Sequence, residues 1–502
     1  MKLMKKLFLS AGLWIAIAAQ AMAQPLERST PADEGVDAKA VAQFFDSLMH
    51  IPQTEIHHAM VVRHGKVIGE LHPAPYRAQD AHTLYSESKT VAALAVGLCM
   101  DRHLLRLSDR LITFFPEQLP DSISPYLADI TIRDLLTMQS GIKPDWNLRN
   151  HRTDWVRQLL SKEVTFAPGT TYQYDSMCTY LLSAIVQRTT GKTLMQLLTP
   201  AIFQPLGITD AAWEECPHGI NTGGWGLRLS TDSQAKIGQL LLQKGKWNGV
   251  QLLSKEWVEA AISPQVFPYQ QGTAAHTKSP GYGYQIWMSE HPGSYRADGA
   301  FGQYVVMIPD HDMVVVINGV SYQTPYELKY IWSVLLPGVK TASLAPDTRA
   351  QQRLDALCQK ASLPMPAGKA TAKKYHGKTA VFGNSKTKLS LSFHSDGTLQ
   401  FTFGGRTLTA TRGQWHYETG SQQPPYSINA IGRFKGLSPD FTSASAYAWQ
   451  GNELTIRTHW VDFISSETIK VKWIDASNAE VSISRNYDKQ AGGPQRVSYT
   501  LE

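Results

Sequence analysis

The chain of 502 residues lacks several signatures by which hydrolases are commonly recognised. It has no H-E-x-x-H motif of a zinc hydrolase and no G-x-S-x-G elbow of an α/β-hydrolase. Its four cysteines include no C-x-x-C pair of the kind that holds structural zinc. His57 and His58 are adjacent, and side chains of neighbouring strand residues point to opposite faces. A metal-dependent hydrolase is therefore not indicated.

Charge is also sparse. Charged residues make up 18% of the sequence, and the net charge of +6 falls to +3 without the first 23 residues, which carry three lysines and no acids. The sequence has no arginine-rich or aromatic-interleaved basic stripe. Nucleic-acid-binding proteins typically have such a feature, so we expect no nucleic-acid partner.

The first 23 residues have the pattern of a cleavable signal peptide. Three lysines precede an apolar stretch over 7–19, and Ala21-Met22-Ala23 provides a small-x-small cleavage site. The apolar stretch is short for a bilayer, no later stretch is long enough to span one, and no cysteine follows the cleavage site to carry a lipid. We expect a soluble exported protein, periplasmic or secreted, without a membrane anchor.

In an oxidising compartment the four cysteines would allow three disulfide pairings. Two of them lie in apolar helical patterns, where buried free thiols are favoured. The sequence leaves the pairing open for Cys99, Cys178, Cys216 and Cys358.

The stretch Tyr85-Ser86-Glu87-Ser88-Lys89 carries the clearest chemical signal. The i, i+3 spacing of Ser86 and Lys89 places a hydroxyl and an amine on one helical face. The residues that follow are apolar on nearly all sides, which predicts a buried helix whose N-terminus reaches a cleft. Partial desolvation would lower the pKa of Lys89 and let it take the serine proton. The alternative is that Ser86 only caps the helix and Lys89 extends to solvent.

An S-x-x-K motif is weak by itself, and it occurs four times, at Ser86, Ser140, Ser233 and Ser385. The Ser140 copy runs into a glycine and indicates a helix end. The Ser233 copy lies in a polar helical stretch, and the Ser385 copy lies in a loop rich in glycine, asparagine and lysine. Ser86 alone begins a predicted buried helix.

The order of patterns predicts two folded domains. Residues 59–69 alternate as a hairpin, helical patterns dominate to about residue 262, and strand patterns return over 283–318. This order is typical of an α+β domain, assigned to 24–336, with an antiparallel sheet flanked by a helical region.

A linker with a short helix is predicted over 337–368, and a separate all-β domain, a sandwich or small barrel, over 369–502. The all-β domain has no evident nucleophile, so we expect it to support stability, oligomer contacts or the cleft rim. Its tryptophans are expected in its core: Trp415, Trp449, Trp460 and Trp473.

A turn-rich loop over 166–176 presents Tyr174 and Ser176 just before an apolar helix. A tyrosine oxygen beside a serine–lysine pair could relay a proton to a leaving group, provided that the nearby ammonium lowers its pKa. The alternative is a buried core tyrosine with a satisfied hydroxyl.

Seven ordered stretches together resemble the serine β-lactamase and penicillin-binding-protein superfamily. Within it, the chain is most similar to the class C-like branch, which includes family VIII carboxylesterases, D-aminopeptidases, oligoamide hydrolases and transesterases. The resemblance covers residues 35–335 approximately. The stretches are 61–66 (VVRHGK), 86–89 (SESK), 130–141 (ITIRDLLTMQSG), 166–176 (FAPGTTYQYDS), 224–230 (GWGLRLS), 281–284 (GYGY) and 301–309 (FGQYVVMIP).

The resemblance implies a β-lactamase/transpeptidase-like fold and an acyl-transfer enzyme that needs no metal or organic cofactor. Ser86 would attack an ester or amide carbonyl, Lys89 would be its base, and Tyr174 would pass the proton to the leaving group. Backbone N–H groups of Ser86 and Ala300 would hold the oxyanion. The acyl group would then pass to water, or to an alcohol or amine acceptor.

Two departures from the family pattern bear on the substrate. Ser176 stands where the family's Y-x-N motif has its amide. Ala297-Asp298-Gly299 stands where β-lactamases have K-T-G, so no lysine is present there to receive a β-lactam carboxylate. Arg296 is expected to point to the opposite face of the strand, and Asp298 to repel an anionic substrate. We expect weak or absent β-lactam hydrolysis.

A catalytically inactive peptidoglycan- or ligand-binding protein is the alternative from another class, since fold does not imply function. The presence of serine, lysine and tyrosine together argues against it.

Overall fold

The computed structural model describes residues 25–268, 280–368, 377, 379–382, 388–475, 478–488 and 495–500. The predicted signal peptide and Ser385 lie outside the described residues. Within the described residues, no helix combines the length and apolar character needed to cross a bilayer.

A six-stranded antiparallel sheet forms the centre of the N-terminal domain, in the order β2-β1-β11-β10-β9-β8. The predicted hairpin over 59–69 is present as β1 and β2, and the strands β8 to β11 begin within the predicted strand region 283–318. The strands are β1 (Thr54–Arg63), β2 (Lys66–Leu71), β8 (Trp287–Met288), β9 (Tyr295–Gly299), β10 (Gln303–Ile308) and β11 (Met313–Ser321).

Helices cover both faces of this sheet, because its strands are apolar on both sides. The helices are α1 (Ala38–Met49), α2 (Ser88–Asp101), α3 (Pro125–Asp129), α4 (Ile132–Leu136), α5 (Trp155–Leu160), α6 (Ser176–Thr190), α7 (Leu194–Leu198), α8 (Thr231–Leu242), α9 (Lys255–Ala261), α10 (Pro325–Tyr330) and α11 (Thr348–Lys360). Short strands join the helical region as β3 (His82–Thr83), β4 (Ala212–Trp213), β5 (Leu227–Leu229), β6 (Lys246–Trp247) and β7 (Val250–Gln251).

The helix predicted within the linker, α11, begins after its N-cap Asp347 and packs against α1. Leu354 of α11 is buried in the same apolar cluster as Phe44 and Phe45 of α1. This part of the linker is therefore docked on the sheet of the N-terminal domain.

The C-terminal region forms one curled ten-stranded sheet. Its strands are β12 (Thr379–Phe382), β13 (Leu389–Phe393), β14 (Leu399–Phe403), β15 (Arg406–Arg412), β16 (His416–Gly420), β17 (Phe441–Gln450), β18 (Glu453–Trp460), β19 (Ser466–Trp473), β20 (Asn478–Arg485) and β21 (Gln495–Thr500). Trp449, Trp460 and Trp473 are buried in its core as predicted, and Trp415 packs half-buried against a small neighbouring cluster.

Candidate active site

Ser86 lies in a single 3₁₀ turn, Tyr85–Glu87, that leads directly into α2. The sequence predicted both Ser86 and Lys89 in one helix, whereas Lys89 alone lies in the first turn of α2. Tyr85 has a φ of 49°, a backbone conformation that is unfavourable for a bulky residue. Strained residues of this kind cluster at functional sites, where the surrounding packing holds them in place.

The amine of Lys89 lies at the centre of a buried hydrogen-bond network. Its Nζ donates to Ser86 Oγ at 2.9 Å, to Ser176 Oγ at 2.7 Å and to the Gly224 carbonyl at 2.8 Å. The side chain is only 1% exposed, which rules out the alternative that Lys89 extends to solvent. Ser176 keeps a contact with the lysine, although a hydroxyl replaces the amide of the family motif.

Burial lowers the pKa of Lys89 to about 7, against the smaller opposing effect of the nearby Asp175 carboxylate. A buried amine loses the hydration that stabilises its charged form. A substantial fraction of Lys89 is therefore neutral at neutral pH and able to accept the proton of Ser86.

Tyr174 completes the site. It shares a side-chain hydrogen bond with Ser86, and its ring centroid lies 4.7 Å from Lys89 Nζ. Burial raises the pKa of Tyr174, so the expectation that a neighbouring ammonium lowers it is wrong. The reason is that desolvation dominates. Tyr174 is thus a neutral phenol suited to relaying a proton, and Lys89 is placed to act as the base.

The backbone of Gly224 lies very close to Ser176, which explains why this position requires glycine. A side chain at this position would collide with Ser176, so only glycine lets this backbone lie against the start of α6. That approach presents the Gly224 carbonyl to Lys89. The sequence marked this stretch as part of the family pattern without indicating its contact with the lysine.

The end of strand β9, where Gly299 and the predicted oxyanion residue Ala300 lie, packs beside the turn that carries Ser86. A side chain at Gly299 would collide with the carbonyl of Leu84, two residues before Ser86. Gly299 therefore allows the end of β9 to pack against the 3₁₀ turn, and the exposed Ala300 follows it directly. This arrangement places the backbone of Ala300 at the same end of the site as Ser86.

Asp298 lies on the opposite face of β9 from Ala297, yet its charge still acts on the pKa values of Glu87, Lys89 and Tyr174. Its carboxylate accepts a hydrogen bond from Arg296 Nε at 2.9 Å, and its register partner Tyr304 packs on the opposite face, against α1. Arg296 points away from the position of Ala297, as predicted, and the expectation that Asp298 repels an anionic substrate stays a prediction.

Two buried carboxyl groups flank the catalytic residues, and the sequence pattern gave no role for either. Asp175 caps α6 by accepting from Met177 N at 2.9 Å, and burial raises its pKa to about 6. Burial and the nearby Asp298 raise the pKa of Glu87 well above its usual range. Asp175 is nevertheless mostly ionised at pH 7, and its charge partly offsets the effect of burial on the pKa of Lys89.

Segment 421–440 of the C-terminal region contacts residues that adjoin the site. The Ser427 and Tyr85 hydroxyl oxygens are 2.7 Å apart, and Ile431 N donates to the Arg149 carbonyl at 2.8 Å. Arg149 in turn lies over the ring of Trp225, the residue after Gly224. The C-terminal region thus contacts the residue next to Ser86 and, through Arg149, the residue next to Gly224.

The remaining candidate sites of the sequence are the serines of two other S-x-x-K copies, Ser140 and Ser233, and the four cysteines. Ser140 Oγ lies 3.3 Å from Cys178 Sγ, and Ser233 bonds to Asp210 and Ser230, so neither serine contacts the catalytic lysine. All four cysteines are free thiols, and Cys99 and Cys178 are buried as predicted.

The Beta-lactamase family model matches residues 41–326, more than half of the chain. Esterase EstB of Burkholderia gladioli is 30% identical over 184 residues, which cover 31% of this chain and 46%, less than half, of the esterase. The 6-aminohexanoate-dimer hydrolase of Paenarthrobacter ureafaciens is 24% identical over 310 residues, which cover 57% of this chain and 79% of that hydrolase.

Among solved structures, EstCE1, described as a hydrolase with promiscuous acyltransferase activity, has the same fold. The match has a TM-score of 0.50 at 17% identity and covers 59% of this chain and 99% of EstCE1. The extent of the family match and the serine, lysine and tyrosine assembled at one site lead to one conclusion. The chain belongs to the Beta-lactamase family.

Proposed function

We propose that this protein cleaves an ester or amide bond through a covalent acyl-Ser86 intermediate. The contact between Ser86 Oγ and Lys89 Nζ, a fully buried amine with a pKa of about 7, carries the proposal. A nucleophile within hydrogen-bond reach of a base titrating near the working pH is the arrangement that acyl transfer requires. The relatives named as an esterase and an amide hydrolase support the same reaction class.

Acylation begins when neutral Lys89 accepts the Ser86 proton as Oγ attacks the carbonyl carbon. The carbonyl oxygen becomes an oxyanion, which the N–H groups of Ser86 and Ala300 would stabilise. Collapse breaks the bond to the alcohol or amine, which leaves with a proton donated by Tyr174. The Lys89 ammonium then returns a proton to Tyr174, so the base is neutral again at the end of the step.

Deacylation repeats these transfers with water as the nucleophile. Water gives its proton through Tyr174 to Lys89 and attacks the acyl carbon, and Ser86 leaves with a proton returned from the lysine. Tyr174 suits this relay because burial keeps it protonated. The ring of Tyr174 stacks on Trp287 at 5.8 Å, which holds it beside Lys89 and Ser86.

We infer that the substrate's acyl side is neutral. Ala297 replaces the cationic strand residue of β-lactamases, and the wall beside Tyr174 is built from Trp287 and Tyr282. Aromatic walls favour apolar acyl groups, and no cation on this strand faces a carboxylate, since Arg296 pairs with Asp298 on the other side.

A panel of neutral p-nitrophenyl esters and anilides tests the proposal. We expect measurable turnover by the full chain, with Tyr174→Phe accumulating an acyl-enzyme because the proton relay is broken. Lys89→Met should lose about 10²-fold to 10⁴-fold in rate, the range for loss of a general base. Equal turnover by Lys89→Met and the parent would contradict the proposal.

Transfer of the acyl group to an alcohol or amine is a second candidate reaction. The C-terminal region contacts Tyr85, next to the nucleophile, and transfer would be favoured if such contacts restrict the access of water to the acyl-enzyme. EstCE1 is described as having promiscuous acyltransferase activity. Product analysis with an added primary alcohol distinguishes the two: a new ester indicates transfer, and free acid alone indicates hydrolysis.

Export is part of the same proposal. The signal-peptide pattern over 1–23 supports it. Fractionation of cells that express the chain should recover protein beginning at Gln24 outside the cytoplasm, and full-length protein confined to the cytoplasm would contradict export.

A further inference from the structure

Two turns at one end of the main sheet bring three metal-ligating side chains together. His291 lies in the turn between β8 and β9, and Asp310 and His311 lie in the turn between β10 and β11. One ligand atom from each residue falls within 4.8 Å of the others. His291 Nε2 lies 3.0 Å from Asp310 Oδ2, and His311 Nε2 lies 3.8 Å from the same oxygen.

We propose that His291, Asp310 and His311 bind a divalent transition-metal ion of the zinc class. Zinc bound to imidazole nitrogen and carboxylate oxygen at its usual bond lengths places its ligand atoms about 3.3 Å apart. The observed separations bracket this value, so small side-chain rotations would close the site. Two imidazoles favour zinc, nickel or copper over magnesium and calcium, which prefer oxygen ligands.

The two turns hold these side chains in place before any ion binds. The His291 ring stacks on Trp332 at 5.4 Å with an interplanar angle of 16°. The His291 carbonyl accepts hydrogen bonds from the backbone and hydroxyl of Ser294, at 3.1 and 2.6 Å. The His311 carbonyl accepts from Arg63 Nε at 3.2 Å. Such outer contacts fix ligand orientation and strengthen metal binding.

The three side chains are accessible from solvent, and they would supply three of the four ligands of a tetrahedral ion. The three side chains are 25%, 53% and 30% exposed in the order His291, Asp310, His311, so an ion can enter from solvent. Three protein ligands leave the fourth tetrahedral position for water.

The site is separate from the catalytic residues. His291 precedes the first residue of β9, while Gly299, which packs beside Leu84, ends that strand. Residues 292–298 lie between the two positions. A bound ion would join the β8–β9 turn to the β10–β11 turn and so stabilise the hairpins that carry Ala300, without contacting the substrate.

Isothermal titration of the chelator-treated full chain with Zn²⁺ tests this site. We expect one ion per chain with micromolar or tighter affinity, and a rise in the melting temperature on binding. His291→Gln and His311→Gln should each weaken binding by about tenfold or more. The matched control is His151→Gln, at an exposed histidine distant in sequence from both turns.

Circular dichroism establishes that each variant is folded, and each should keep its ester turnover without metal. No zinc binding by the parent would overturn the proposal. Binding retained in both His291→Gln and His311→Gln, with affinity equal to that of His151→Gln, would place the ion elsewhere and also overturn it.

Discussion

The hydroxyl oxygens of Tyr85 and Ser427 lie 2.7 Å apart, which links the residue before the nucleophile to the C-terminal region. Tyr85 belongs to the apolar cluster of that region and lies with its ring 6.1 Å from Tyr426. Its positive φ is therefore held by packing that the N-terminal domain alone does not supply. The C-terminal region has a role at the cleft that goes beyond general stability.

Removal of this link should impair turnover. Ser427→Ala should cost about 1 kcal/mol, the typical contribution of one hydrogen bond, which corresponds to a decrease in kcat of up to about fivefold. Initial rates on a neutral ester and denaturant melts measure both effects. Ser421→Ala, an exposed serine in the same segment, is the control. Identical kcat and stability for Ser427→Ala and Ser421→Ala would contradict the buttressing role.

The pH dependence of kcat/KM should report the titration of Lys89. Its pKa is lowered to about 7, and only the neutral amine accepts the Ser86 proton. For an uncharged ester, kcat/KM should therefore fall tenfold per pH unit below about 7 and level off above it. Stopped-rate assays from pH 5 to 9 measure this profile. A profile that is flat between pH 5 and 8 would show that Lys89 is not the base.

Acid should destabilise the junction between the two regions. His57 Nδ1 lies 2.9 Å from His82 Nε2, and His459 Nδ1 lies 3.3 Å from the hydroxyl of Tyr76. Burial lowers the pKa of all three histidines, that of His459 to about 3, although Glu55 acts in the opposite direction on two of them. These imidazoles are neutral in the folded protein.

In the unfolded chain the same histidines titrate near pH 6.5, so it binds more protons than the folded chain below that pH. The free energy of unfolding should be largest above about pH 6.5 and decrease as the pH falls toward 3. His459→Gln should make that decrease shallower, and His151→Gln should not. Urea melts at several pH values measure the slope, and equal slopes for the two variants would contradict a contribution from His459.

Hydrolysis of β-lactams should be slow. Ala297 is buried on the catalytic side of the strand, and the nearby Arg296 is paired with Asp298 on the other side. A missing charge-assisted hydrogen bond costs about 1.5–3 kcal/mol, so kcat/KM for a cephalosporin should be at least about tenfold below that for a neutral ester. Chromogenic substrates of both kinds provide the comparison. A cephalosporin turned over faster than the ester would refute this expectation.

The sequence predicted which residues meet at the candidate site better than it predicted their surroundings. Ser86, Lys89 and Tyr174 lie in short motifs that resemble those of the β-lactamase superfamily, so they could be named before the fold was known. The contact of Gly224 with Lys89 joins residues 135 positions apart, and local patterns do not encode such distances. Strand alternation gives two faces without indicating which one meets the cleft, so the sequence did not predict the face on which Asp298 lies.

In the C-terminal region, too, the sequence predicted local features but not long-range contacts. Alternating apolar residues predicted its strands and its buried tryptophans, because each depends on local pattern. Its single curled sheet and the docking of Ser427 on Tyr85 depend on long-range packing, with 342 positions between the two residues. The sequence therefore predicted a domain without catalytic residues but not its contact with the nucleophile's neighbour.

Covalent labelling of Ser86 tests the central claim most directly. The full chain, Ser86→Ala and the control Ser140→Ala, which removes the serine of another S-x-x-K copy, would each be treated with a fluorophosphonate and measured by intact-protein and peptide mass spectrometry. We predict one adduct per chain on the Ser86 peptide in the parent and in Ser140→Ala, and none in Ser86→Ala. An adduct of equal yield in Ser86→Ala, with ester turnover retained, would contradict the account.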